Sequence, residues 1–152
     1  AIAGFLRAEV ARPLLVGPDS ESEQWVADVA GRLGAPHVVM HKVRQGDRSV
    51  QVRLPPDFDH AGRTPVLLDD IVSTGHTLAR AAHVLRGSGC PAPVCVAVHA
   101  LVDAAGMDLL RGAGFARIVS CDSVPHPTNA IALAPLLAPA LRQMQEQAWS
   151  SS

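Results

Sequence analysis

The stretch Val66-Leu67-Leu68-Asp69-Asp70-Ile71-Val72-Ser73-Thr74-Gly75-His76-Thr77 leaves this chain few folds to choose from. Its apolar run, entered through Thr64-Pro65, predicts a buried strand of a parallel sheet. Proline is tolerated at the opening of a strand, where no ladder hydrogen bond is asked of it. The run feeds two adjacent acids, and Ser73 to Thr77 then form a short loop that opens a helix. Leu78 to Leu85 make the helix body, with Gly87 and Gly89 as stop signals.

The loop carries chemistry as well as topology. Free backbone N–H groups at a helix start attract anions, and the Ser73, Thr74 and Thr77 hydroxyls add donors. Gly75 allows close backbone approach to a phosphate, or a positive φ. Ionised Asp69 and Asp70 only accept hydrogen bonds, so beside a phosphate they make sense facing the 2- and 3-hydroxyls of a ribose or a metal-bound water. Together these groups describe a site for ribose 5-phosphate. A plainer reading, a polar strand end with a Ser or Thr capping the helix, also accounts for the hydroxyls.

This stretch resembles the phosphoribosyl-pyrophosphate (PRPP) motif shared by phosphoribosyltransferases and ribose-phosphate pyrophosphokinases, the PRPP synthetases. The flanking segments favour the latter. Pro13 to Gly17 predicts a strand ending in Pro18-Asp19-Ser20-Glu21-Ser22, and Glu23 to Leu33 a helix with Trp25, Val26, Val29, Ala30 and Leu33 on one face, closed by Gly34. PRPP synthetases end a strand here in Pro-Asp followed by a glycine-rich turn for pyrophosphate. The resemblance implies that Asp19 helps hold Mg²⁺ or the transferring group. Glu21 and Ser22 depart from it, standing where that family has paired glycines. A simple helix cap is the other reading of Asp19.

His37 to Val43 predicts a third strand, running into Lys42-Val43-Arg44. Lys42 and Arg44 stand two residues apart and so share a face. Gln45-Gly46-Asp47 reads as a turn, after which Val50, Val52 and Leu54 alternate with Ser49, Gln51 and Arg53, the pattern of a β-hairpin. PRPP synthetases carry Lys-x-Arg at the start of a mobile hairpin, and Lys42 and Arg44 match it. By resemblance they are the catalytic cations, offsetting charge that develops on the phosphates. A basic strand edge that discourages pairing is the structural alternative.

Further strands are expected at Pro93 to His99 and Arg117 to Cys121, with a helix around Ala104 to Leu110 ending before Gly112 and Gly114. Strands and helices alternate, with a hairpin inserted after the third strand. An α/β fold follows, a doubly wound, mostly parallel sheet, and the resemblance makes it one of phosphoribosyltransferase type. Asn129 to Gln147 is expected to be helical in part and broken by Pro135 and Pro139. The seven histidines show no paired metal-ligand spacing. His76 lies inside the loop, at a position commonly glycine in the family, and can donate to a phosphate. His99, at a strand end, faces either the ligand or structure. Cys90, Cys95 and Cys121 are unpatterned and read as thiols of a reducing compartment.

At 152 residues the chain makes one domain, 1–152, with a real core. A net charge of -1 gives no footprint for nucleic acid or an anionic membrane. The apolar stretch Ala130 to Leu141 is short and proline-broken for a bilayer, and no secretory leader opens the chain, so cytoplasm is expected. The resemblance covers the carboxyl-terminal domain of a PRPP synthetase. It implies a fragment of a two-domain parent, with residues 1–12 a remnant of the preceding helix and the missing half supplying much of the ATP site. The implied activity moves pyrophosphate from ATP to the 1-hydroxyl of ribose 5-phosphate, with Mg²⁺, in a homo-oligomer. A PRPP-consuming phosphoribosyltransferase and a non-catalytic regulatory homologue are the alternatives.

Overall fold

The computed structural model describes residues 1–45 and 49–150, leaving out the side chains of 42–45, 49–51 and 149–150. In chain order the elements are α1 (Ile2–Glu9), β1 (Pro13–Gly17), α2 (Glu23–Leu33), β2 (His37–Val39), β3 (His41–Gln45), β4 (Ser49–Arg53), β5 (Thr64–Val72), α3 (His76–Gly87), β6 (Val94–Ala100), α4 (Ala104–Gly112), β7 (Arg117–Cys121), β8 (Asn129–Ile131) and α5 (Ala134–Ser150). Six strands form one sheet in the order β2-β1-β5-β6-β7-β8. Every pairing in it is parallel, and β3 with β4 forms a separate antiparallel ribbon.

The period-two alternation of the strands splits the interior into two cores. Leu14, Val16, Leu67, Cys95 and Ala97 face α3 and α4, meeting Leu78, Leu85, Met107 and Leu110. Leu15, Val66, Leu68, Val94, Val96 and Val119 face the other way, onto Leu6 of α1 and Val26, Val29 and Ala30 of α2. Helices on both faces make the sheet doubly wound. Leu6 is fully buried, which is worth about 1.5–3 kcal/mol for a side chain of its size. Arg117 fastens α1 further, bonding Glu9 at 2.9 Å and lying over the Phe5 ring.

From β1 the chain passes to β2 on one side and then to β5 on the other. The order in which the chain adds strands reverses between β1 and β5, and a crevice opens there at the carboxyl ends of the strands. This geometry puts Asp19 and Asp69 on the rims of one cleft.

Three expectations need correction. His37 to Val43 is not one strand: the buried Met40, whose N–H donates to Gly17 O, separates β2 in the main sheet from β3 in the ribbon. The strand read over Val66 to Leu68 is longer, running from Thr64 to Val72 and taking in Asp69 and Asp70, since β5 stays paired with β6 as far as Val72↔Ala100. At the carboxyl end, Asn129–Ile131 is the edge strand β8, and α5 runs from Ala134 to Ser150 with Pro139 inside it. Pro135 falls in the first turn, where a missing N–H costs nothing. The Gln45-Gly46-Asp47 turn falls on residues 46–48, outside the described residues.

Candidate functional site

Each side of the cleft begins with a backbone device. β1 ends at Gly17, where any Cβ would collide with the Oγ of Ser22. Ser22 is fully buried, and its hydroxyl donates back to Asp19 O. Residues Ser20–Ser22 form a single 3-10 turn capped by the Asp19 carboxylate, which accepts from Glu21 N–H at 3.2 Å. Asp19 is therefore a cap, of this turn and not of α2. The turn packs against β5. Ser22 thus does structural work that a glycine could not do, while Glu21 stays exposed.

Across the cleft, successive residues of β5 alternate in direction, so Asp69 lies on the α3 face with Leu67 and Asp70 on the opposite one. Each carboxylate accepts the next backbone N–H: Asp70 N–H to Asp69 Oδ1 at 3.1 Å, and Ile71 N–H to Asp70 Oδ1 at 2.8 Å. Burial pushes the Asp69 pKa up to about 7, and the negative charges of Asp70 and Asp19 push the same way. Three carboxylates thus act on one cleft, which suits a ligand that brings hydroxyl donors or a cation.

Beyond Val72 the backbone turns through Ser73 and Thr74 to Gly75, which adopts the left-handed conformation (φ 77) ahead of α3. No side chain caps α3. Among the described residues the Ser73, Thr74 and Thr77 hydroxyls make no hydrogen bond within the protein. The capping reading of these hydroxyls therefore does not hold. With the unpaired amides of the first helical turn, they line a cup of about 50 Å³ whose wall also includes Asp69, Ile71 and Leu78. Such a cup of donors at a helix start matches a phosphate.

The loop is braced from behind by α4. Gly106 lies so close to it that a Cβ would stand 3.0 Å from Thr74 O, and a Cβ on Gly75 would stand 3.0 Å from Leu110. Asp103 caps α4, accepting from Gly106 N–H at 2.9 Å. Sequence reasoning passed over Gly106, although a glycine inside a helical pattern is a signal of close packing. It passed over Ser123 as well, which donates to Val98 O at 2.6 Å and stands 2.9 Å from Nδ1 of His99.

Asp69, Ser73, Thr74, Gly75 and Thr77 thus come together around the cup. Asp70 and His76 do not line it. His76 is exposed and borders a neighbouring groove of about 300 Å³ with Asp103 and Leu109. Lys42 and Arg44 lie in β3, in register with Val52 and Val50 of β4, and their side chains fall outside the described residues. The ribbon is laid on the α3 side of the molecule, where Val52 and Leu54 pack on the core. Among the described residues no group of three or more His, Cys, Asp or Glu side chains forms a metal cage, and no helix is long and apolar enough to cross a membrane.

Comparison with known proteins agrees with this geometry. The chain is 31% identical over 131 residues to a ribose-phosphate pyrophosphokinase of Methanopyrus kandleri, a match to 86% of this chain and 45% of that protein. It superposes on the crystal structure of phosphoribosylpyrophosphate synthetase from Mycobacterium smegmatis with a TM-score of 0.77 and 26% identity, over 96% of this chain and 50% of that one. An orotate phosphoribosyltransferase from Aeropyrum pernix superposes less completely, with a TM-score of 0.56 and 26% identity, over 78% of this chain and 68% of that one. The chain spans about half the length of the pyrophosphokinases it matches. The phosphoribosyl transferase domain model matches residues 2–134, and the chain belongs to that family.

Proposed function

We propose that this chain is the ribose-5-phosphate-binding half of a PRPP synthetase, which transfers pyrophosphate from ATP to the 1-hydroxyl of ribose 5-phosphate and releases AMP. The observation that carries the proposal is the cup at the start of α3: three hydroxyls without partners among the described residues, beside a carboxyl group whose pKa is pushed up to about 7. The half-length match to ribose-phosphate pyrophosphokinases supports a second domain that completes the ATP site.

In this reading the amides and hydroxyls of Ser73, Thr74, Gly75 and Thr77 hold the 5-phosphate, with the His76 amide at the helix start. Asp69 accepts from the sugar hydroxyls, and Asp70 fixes the strand end and the outer side of the diol. The sugar is held with its 1-hydroxyl towards the β1 rim, where the nucleotide's phosphates arrive. Transfer of a phosphoryl group asks for positioning and charge compensation more than for covalent help from the protein. Lys42 and Arg44 provide that compensation from the ribbon. Mg²⁺ fits the donor chemistry, because it takes one or two carboxylates along with waters and substrate phosphates, and Asp19 would hold it. When bound, the ion neutralises charge on the transferring phosphates. Self-association into a homo-oligomer belongs to the same proposal.

A ³¹P NMR time course with ATP, ribose 5-phosphate and Mg²⁺, run on the full-length protein and on this chain, tests the reading. Formation of AMP and a pyrophosphorylated ribose by the full-length protein is expected. Consumption of PRPP with orotate or a purine would replace the synthetase by a transferase. Tight ribose 5-phosphate binding with no turnover at all would make the protein a ligand-binding homologue. The Glu21-Ser22 turn, closed on itself by Asp19 and Ser22, favours that outcome over the transferase.

A further inference from the structure

His99 stands at the carboxyl end of β6, directly beside Ile71 of β5 in the parallel register. By alternation His99 follows Ala97, the register partner of Asp69, on the α3 side of β6. Strand spacing and rise put His99 roughly 8 Å diagonally from Asp69. Ile71, its neighbour, forms part of the phosphate cup and is 51% exposed. The histidine thus stands at the carboxyl end of the strand next to the acid's own, beside a residue that lines the cup.

Its tautomer is determined by its surroundings. The Ser123 hydroxyl has one proton, and it donates that proton to Val98 O at 2.6 Å. The 2.9 Å contact between Ser123 Oγ and His99 Nδ1 must then take its proton from the imidazole. Nδ1 carries hydrogen, so in the neutral ring Nε2 carries a lone pair. Among the described residues Nε2 makes no hydrogen bond. His126, the other histidine in this region, differs: Nδ1 lies 2.7 Å from Thr128 Oγ1 and Nε2 lies 3.1 Å from Val102 O, so both nitrogens are spent on structure.

We infer that His99 is a substrate-binding residue whose Nε2 accepts a hydrogen bond from a hydroxyl of the bound sugar, and that Ser123 is the positioning residue that fixes its tautomer. A bare lone pair rejects phosphate oxygens, which cannot donate, and accepts hydroxyls. Within the cleft the sugar is the component that offers them. The inference rests on the ribose 5-phosphate reading of the site and adds a second hydroxyl acceptor, on β6, to the acid on β5.

The test follows the His99 ring nitrogens by ¹H–¹⁵N NMR in the wild-type chain, Ser123→Ala and Ser123→Thr, with His99→Gln for assignment, and titrates each with ribose 5-phosphate. Ligand-free wild type and Ser123→Thr should show a protonated Nδ1 and a bare Nε2. Ser123→Ala should shift towards the other tautomer and bind the sugar phosphate more weakly, by up to about tenfold. Saturating ribose 5-phosphate should move the Nε2 resonance of the wild type. A protonated Nε2 in the ligand-free wild type, or an unmoved Nε2 at saturation, overturns the role of His99 while leaving the site reading intact. No binding of ribose 5-phosphate to any variant overturns the site reading, and this role with it.

Discussion

Gly106 of α4 touches the carbonyl of Thr74, at a separation that would leave a Cβ only 3.0 Å from that oxygen. Two elements far apart in the chain thus meet at the back of the cup, and the position of one backbone carbonyl depends on a side chain that is missing. A Cβ at Gly106 would also crowd Val102. Gly106→Ala gains about 1 kcal/mol of helix propensity but meets an overpacking cost of about 1–3 kcal/mol. We expect a folded variant with ribose 5-phosphate affinity reduced about tenfold, read by calorimetry. Wild-type affinity would show that α4 does not set the loop.

The hydroxyls of Thr74 and Thr77 have no partner among the described residues, so removing them should not touch stability. Thr74→Val and Thr77→Val are each expected to keep the melting temperature. A helix cap would instead lose about 1 kcal/mol on such a change. A hydrogen bond to a charged group is worth about 1.5–3 kcal/mol, so each variant should lose roughly ten- to a hundredfold in affinity for ribose 5-phosphate. A lowered melting temperature with unchanged affinity would return these residues to a purely structural role.

Asp69 makes the ligand-free protein pH-sensitive. Its folded pKa of about 7 lies above the ordinary carboxylate value of about 4, so the folded state binds this proton more tightly than the unfolded chain does. The resulting stabilisation is complete below pH about 4 and disappears as pH rises through about 7. Asp69→Asn carries no such titration and should give a flatter stability curve in urea between those limits. Identical curves for the two proteins would mean that the carboxyl titrates normally.

Ligand binding should reverse that shift. A sugar diol or a cation at Asp69 favours the ionised form, so ribose 5-phosphate with Mg²⁺ should expel a proton near neutral pH. Calorimetry in buffers of different ionisation enthalpy would detect it. Asp69→Asn should abolish the proton release, and Asp69→Asn with Asp70→Asn should lose at least tenfold in affinity without unfolding. Buffer-independent heats would argue that the ligand does not meet Asp69.

The parts of this molecule that were legible in the sequence are those set by local periodicity. Leu14 to Val16 and Val66 to Leu68 read as buried strands because both faces are covered, and the alternate residues do enter two separate cores. The apolar run that marked the strand ends at Leu68, because two acids interrupt it; pairing with β6 carries the ladder on through Asp69 as far as Val72 nonetheless. Asn129–Ile131 carries too short a signal for a strand, and its place beside β7 comes from tertiary contact. Proline at Pro139 suggested a break, yet α5 continues past it. Around the proposed site, residue types suggested the ligand chemistry, whereas the Gly106 brace and the Ser123–His99 pair join segments whose proximity only the fold creates.

The left-handed residues of the described backbone are unevenly placed. Arg12, Gly34, Ala61, Gly62, Gly89 and Gly114 all come just before strands, at the amino ends of the sheet, and Gly75 alone stands at the carboxyl rim. The sharp reversals that build the scaffold are therefore gathered on the edge away from the cleft. Because all six strands of the sheet are parallel, the loops of the two edges never mix. A lineage, or an engineer, can exchange what the domain recognises by rewriting one set of loops and leave the turns that assemble it untouched. Foldability and specificity are in this way separately inherited.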